Sequence, residues 1–178
     1  MNALKKRPVA IFITAVVIVA AILGGSHRSL AALRNDALKL FEQGAEGDGV
    51  GVKSDLERRV DICANVYAVA VRYLPEDNGG MADLKANLNE PDPLDVFIHS
   101  DMVASAQSVL GQLEQLELSE QDADYVSSFK SQLESIGYTI GRDPYTAAAG
   151  NFNDNVLGRF PASVLGPLTG VRPLEVFE

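Results

Sequence analysis

At 178 residues, 47% of them hydrophobic, the chain has apolar material for the core of one ordinary domain plus an appendage, and is short for two globular domains. Lys5, Lys6 and Arg7 precede every acid, so beyond the hydrophobic stretch the 24 acids face 12 cations, a balance that repels phosphate backbones and anionic lipid heads; no Lys/Arg cluster is interleaved with aromatic residues, and nucleic acid is set aside as a partner. The single cysteine, Cys63, excludes an intramolecular disulfide framework and a thiolate-rich zinc site.

Residues 1–8 form a basic flank. The run from Val9 to Leu23 has only Thr14 as a polar residue and closes on Gly24 and Gly25. Counted as 9–25 it reaches the lower limit of ~17 residues for a membrane-spanning helix. The alternative is a secretory signal, with Ser29-Leu30-Ala31 as a small-residue cleavage site that would release a secreted bundle starting at Ala32. An anchor is favoured because Leu30, Leu33 or Arg34, Ala37 and Phe41 continue one helix face beyond the apolar run. The three clustered N-terminal cations, against the spread Arg28, Arg34 and Lys39, place the N-terminus inside and the domain, residues 26–178, outside.

Gly44, Gly47, Gly49 and Gly51 mark a flexible loop over 44–53. Ser54 and Glu57 form a capping box, after which Leu56, Val60, Cys63, Tyr67, Ala70 and Leu74 trace a buried seam. Ile62, Val66, Val69 and Tyr73 trace a second, as expected of a helix inside a bundle. Pro75 and Gly79-Gly80 end it, and a polar, proline-punctuated stretch runs from Met81 to Pro93. Leu94, Ile98, Met102, Val109, Leu113 and Leu116 predict the next helix. Ser119 and Asp122 cap another, built on Val126, Phe129, Leu133, Ile136 and Ile140. Asp143-Pro144 opens a last helix with Tyr145, Ala149, Phe152 and Val156 on one face, and Phe160-Pro161 closes it. From 160 to 178, apolar residues among prolines and glycines predict an extended tail laid along the bundle. The fold class is therefore all-α: a transmembrane helix, then an up-down bundle of about four long helices.

Sites of chemistry are sparse. His27 sits at the membrane edge, and His99, beside Val96 to Ile98, reads as a surface or boundary residue. Neither a serine-nucleophile elbow nor a phosphate loop is present. Glu76-Asp77-Asn78-Gly79 lacks the remainder of a calcium loop and reads as a turn. Cys63, on the apolar seam, reads as a packed thiol. The alternative function, a metal-dependent enzyme or metal-binding protein, needs several of Asp92, Asp95, His99 and Asp101 to converge.

Two stretches resemble the LemA family of bacterial membrane proteins. Leu56-Glu57-Arg58-Arg59-Val60-Asp61-Ile62-Cys63-Ala64-Asn65-Val66 is similar to a family segment on its first long domain helix, matching at Arg58, Arg59, Asp61 and Asn65. The end of the chain, Phe160-Pro161 and Gly170-Val171-Arg172-Pro173-Leu174-Glu175-Val176-Phe177-Glu178, resembles the family's closing pattern. Ala64 replaces a proline, Val171 a phenylalanine, and Asp143-Pro144 interrupts what is normally one helix. The Phe152-Asn153 pair stands one residue off the family's spacing to Phe160-Pro161. The resemblance implies a divergent member: a long-helix bundle on a membrane stalk, with no established catalytic activity, cofactor or substrate. Arg58 and Asp61 are expected to pair at helical spacing, and Asn65 to tie a buried backbone group. The expectation for function is a non-enzymatic scaffold or protein-interaction module at the bacterial envelope, binding no cofactor or metal, with protein partners and the lipid bilayer as its contacts.

Overall fold

The apolar run at the start of the chain is part of one long helix. The computed structural model describes residues 3–47, 49–75 and 77–177, the side chains of residues 3–6 excepted. Lys5 and Lys6 of the basic flank are thus outside the described side chains, and Glu76 and Glu178 lie outside the described residues. α1 runs over Ala3–Gln43 without a break, 41 residues or about 60 Å at ~1.5 Å per residue. From Val9 to Ile22 its large apolar side chains are half or more exposed. Cover begins with half-buried Leu23 and Ser26 and continues through buried Leu30, half-buried Arg34 and buried Ala37. That is the face expected from the three-and-four spacing.

The chain divides into two compact units. One contains Met1–Lys39 with Ala148–Leu174; the other contains Leu40–Ala147 with Glu175–Glu178.

In the second unit, α2 (Val52–Ala70) packs against α3 (Gly79–Leu88), α4 (Val96–Leu113) and α5 (Glu120–Arg142), and α4 packs against α3 and α5. This is the expected all-α bundle. Leu56, Cys63, Val66, Leu84, Met102, Val109, Leu110, Leu113, Leu133 and Ile140 form its center. Apolar burial of ~1.5–3 kcal/mol per large side chain is what holds such helices together.

Several expected boundaries move. The capping box at Ser54 is not formed: α2 begins at Val52 behind Gly51, and the Ser54 hydroxyl donates to the Gly51 carbonyl at 2.9 Å. Close approach to the end of α1 sets this entry, because a Cβ on Gly51 would stand 2.4 Å from the Phe41 carbonyl oxygen. Within 81–93, expected to be irregular, α3 is capped by Asn78, whose side chain accepts from Met81 N at 3.2 Å. Only Met81 and Leu84 anchor it in the core. Ser119 caps α5 as expected, accepting from Asp122 N at 3.2 Å.

In the first unit, α6 (Pro144–Asn151), which straddles both, runs into a π-helical segment, Phe152–Leu157. The wider π turn moves burial from Phe152 to Leu157 and leaves the expected Val156 half-buried. The one-residue departure in family spacing falls on this segment. The tail is not extended throughout, as predicted: α7 (Ala162–Thr169) occupies its first half and ends at Gly170 in the left-handed region, φ 76°. Beyond it the chain is extended, burying Val171, Leu174 and Phe177 at every third residue.

Candidate functional site

The residues that carried the family resemblance fall into different environments. On α2, Arg58 is exposed and turns back to Asp55 at 3.6 Å, instead of pairing with Asp61 as expected. Asp61 and Asn65 are both exposed, so Asn65 ties no buried group. Arg59 is the buried member, 7% exposed. Helical phase explains the exchange: Val52, Asp55, Leu56, Arg59, Ile62, Cys63, Val66 and Val69 share one inward stripe, and Asp61 and Asn65 lie off it.

Around Arg59 the second unit gathers its unusual groups. The guanidinium lies over α5 at Gly137, where a Cβ would meet Arg59 Nη2 at 2.7 Å. With His99, Phe97 and Val103 of α4 and Val176 and Phe177 of the tail, Arg59 lines a hollow of about 440 Å³. Rings connect these walls. Phe41 of the last turn of α1 lies 5.0 Å from Tyr145 and 5.9 Å from Phe177, and Phe177 meets His99 edge-on at 6.5 Å. The Tyr145 hydroxyl donates to the Glu175 carbonyl at 2.6 Å, holding the extended segment that delivers Phe177.

His99 is 3% exposed, which corrects its reading as a surface residue. Both ring nitrogens lack a hydrogen-bond partner. Burial, reinforced by the charge of Arg59, pushes its pKa down to about 4; the Pro93 carbonyl works weakly the other way from outside hydrogen-bonding geometry. The ring is therefore neutral at pH 7. Burial also lowers the pKa of Arg59, against the fields of Cys63 and Asp55, and raises that of Asp55, against the field of Arg58. Cys63 is fully enclosed and pushed up to about 12 by burial, so it is the packed thiol expected and not a thiolate nucleophile. An arginine beside a neutral imidazole in this hollow is suited to holding an anionic group in place.

The acids proposed for a metal do not converge. Asp95 caps α4, accepting from Phe97 N at 3.0 Å and Ile98 N at 3.2 Å, and Asp92 accepts from Leu94 N at 3.3 Å. Asp101 is exposed. Among the described residues no three His, Cys, Asp or Glu side chains form a metal-holding group.

A hollow of similar size, about 450 Å³, lies between α2 and α3 along Tyr67, Val71, Leu74, Met81 and Lys85. It has no buried charge, and the Arg59 hollow is the better candidate because buried ionisable groups mark functional sites more often than shape does. A separate polar knot sits at the start of α5. Buried Asp122 accepts from the Tyr73 hydroxyl at 2.5 Å and pairs with Arg72 at 2.8 Å, and the hydrogen bond from Tyr73 is the main cause of its lowered pKa. Every bond in this knot serves the joint between the end of α2 and α5.

In the first unit, Asn153 clasps the tail in both directions, its amide donating to the Leu174 carbonyl at 2.8 Å and its carbonyl oxygen accepting from Leu174 N at 2.8 Å. Phe152 is buried beside it, which gives the Phe152-Asn153 pair a structural role. Phe160 is 85% exposed, Pro161 precedes α7, and Gly170 provides its left-handed end. Of the motif positions, Arg59 and Phe177 share the hollow; Arg58, Asp61 and Asn65 stay outside it. Sequence reasoning read His99 as a surface or boundary residue, used Phe41 only for the face of α1 and passed over Asp55. Their signals were a histidine beside an apolar trio, a large ring one turn before the glycine loop, and an acid at i−4 from Arg59.

Comparison with protein-family models, curated proteins and solved structures finds no match.

Proposed function

We propose that this protein is a single-pass, membrane-anchored bundle that acts as a non-enzymatic scaffold or protein-interaction module at a bacterial cell envelope, and that it is a divergent LemA-like protein. The observation that carries this reading is α1. Its apolar portion, with a mean hydropathy of 2.6 in its most apolar window and no residue of that window buried, continues without interruption into the covered face from Leu23 to Ala37. Exposed apolar side chains over Val9 to Ile22 need a hydrocarbon solvent. The cleavage alternative would place the cut at Ser29-Leu30-Ala31, inside a helical turn whose Leu30 is buried, which favours an uncut helix. The LemA-like reading is supported by three motif residues in structural positions, Arg59 and Phe177 at one hollow and Gly170 at the end of α7; Arg58, Asp61, Asn65 and Phe160 are exposed and add nothing to it. Acidic side chains dominate the second unit, so its partners are proteins presenting cationic or neutral surfaces.

Cysteine labelling tests the topology. Cys63 is fully buried, so the native chain should resist a membrane-impermeant maleimide, and Glu117→Cys, in an exposed loop, should be labelled on intact cells if the bundle faces outward. Labelling only after lysis, with the protein still in carbonate-washed membranes, would reverse the orientation and move the search for partners to the cytoplasm.

A further inference from the structure

α7 has a composition at odds with its position. From Ala162 to Thr169 it contains no charged residue. Its inward face is made of Ala162, Leu165, Gly166 and Thr169, the last two turns closing on Leu157 and on the backbone of Val171. Its outward face exposes large apolar side chains as well: Val164 is 53% and Leu168 69% exposed, i and i+4 on the helix beside exposed Ser163, and Phe160, in the turn before the helix, is 85% exposed. An uncharged helix that exposes large apolar side chains marks a contact with protein or lipid.

Three observations identify what covers that face. First, level: Thr169, next to Leu168, meets the His27 ring through its carbonyl at 3.0 Å, and His27 lies two residues past the end of the apolar run. Cover on α1 already begins at Leu23, inside that run. Second, length: residues 9–25 make about 25 Å of helix at ~1.5 Å per residue, short of a ~30 Å hydrocarbon layer, and a short span draws flanking apolar elements toward the bilayer. Third, charge: beyond the apolar run this unit has Arg28, Arg34, Lys39, Arg159 and Arg172 against only Asp36 and Asp154. The acid excess that would repel lipid heads belongs to the other unit, which the chain-wide balance concealed.

We propose that α7 is a second membrane contact: Phe160, Val164 and Leu168 enter the headgroup and acyl boundary of the bilayer crossed by α1, flanked by Arg159 and Arg172 at the level of lipid phosphates. The inference rests on the anchoring of α1 proposed above. The chain has no tryptophan, so single indoles can report it. Leu168→Trp places one on the α7 face, Phe12→Trp one in the anchor and Tyr138→Trp, at a residue 61% exposed on α5, one on the bundle. Each full-length variant is reconstituted in phosphatidylcholine–phosphatidylglycerol vesicles with and without brominated acyl chains. The expected result is loss of most emission at positions 12 and 168 in the brominated vesicles, against position 138 as the reference for a residue that the proposal does not put in lipid; Val164→Trp should repeat the result at 168. Quenching at 12 without quenching at 168 overturns the α7 contact and leaves the anchor standing. Blue-shifted but unquenched emission at 168 also overturns it, since protein would then be covering the face. Emission unaffected at both 12 and 168 removes the anchor reading together with the α7 contact.

Discussion

At the scale of single residues, the hollow is organised by a histidine kept neutral. His99 has a pKa of about 4 in the folded protein against an ordinary 6.5. Between these values the unfolded chain binds a proton that the folded chain refuses, so stability is complete above pH 6.5 and declines as pH falls toward 4. A shift of this size corresponds to about 3 kcal/mol as an upper figure. His99→Phe should flatten that acid limb, and by removing two buried nitrogens without partners it should leave stability at pH 7 unchanged or higher by about 1 kcal/mol. Urea unfolding of the detergent-solubilised chain between pH 4.5 and 7.5 measures both; equal slopes in the two proteins would show that His99 does not carry the limb. The sequence placed Arg59 and Phe177 among the important residues but chose Arg58 and Asp61 as the pair. Asp55 lies three residues from Arg58 and four from Arg59, so spacing alone allows either partner, and only the neighbours that fix the rotation of α2 decide which arginine is buried.

At the scale of elements, the joint between α1 and α2 depends on a glycine with ordinary backbone angles, φ −104°. What it needs is space, since the Phe41 and Leu40 carbonyl oxygens would stand 2.4 and 2.7 Å from a Cβ. Gly51→Ala should therefore cost about 2 kcal/mol through displacement of one helix end from the other, read as a lowered melting temperature; an unchanged midpoint would mean the joint yields freely. The long helices were legible because each repeats apolar residues over several turns. α5 shows this best, with Val126, Leu133, Ile136 and Ile140 buried as expected and Phe129 half-buried. α3 was hidden because two core residues in ten give no period. α7 was hidden because prolines and glycines at 161, 166, 167 and 170 read as breakers, although Pro161 stands just before the helix and Gly170 just after it. The π segment was invisible for another reason: a five-residue step from Phe152 to Leu157 looks like a slipped helical period until the backbone is seen.

At the scale of the whole molecule, charge and apolarity are sorted in a way that composition conceals. All but two of the 24 acids belong to the second unit, and the unit containing the apolar run is cationic beyond it. The total of −9 thus averages two opposite surfaces. This sorting follows the chain only loosely, because the cationic unit joins residues from both ends, and that is why it could not be read from the order of residues. The uncut α1 is the premise on which the tether, its orientation and the lipid contact of α7 all depend. Intact mass spectrometry of the protein recovered from carbonate-washed membranes tests it directly. The account predicts a membrane-retained chain of 19.0 kDa that still contains Val9 to Leu23; a soluble chain beginning at Ala32 would contradict it.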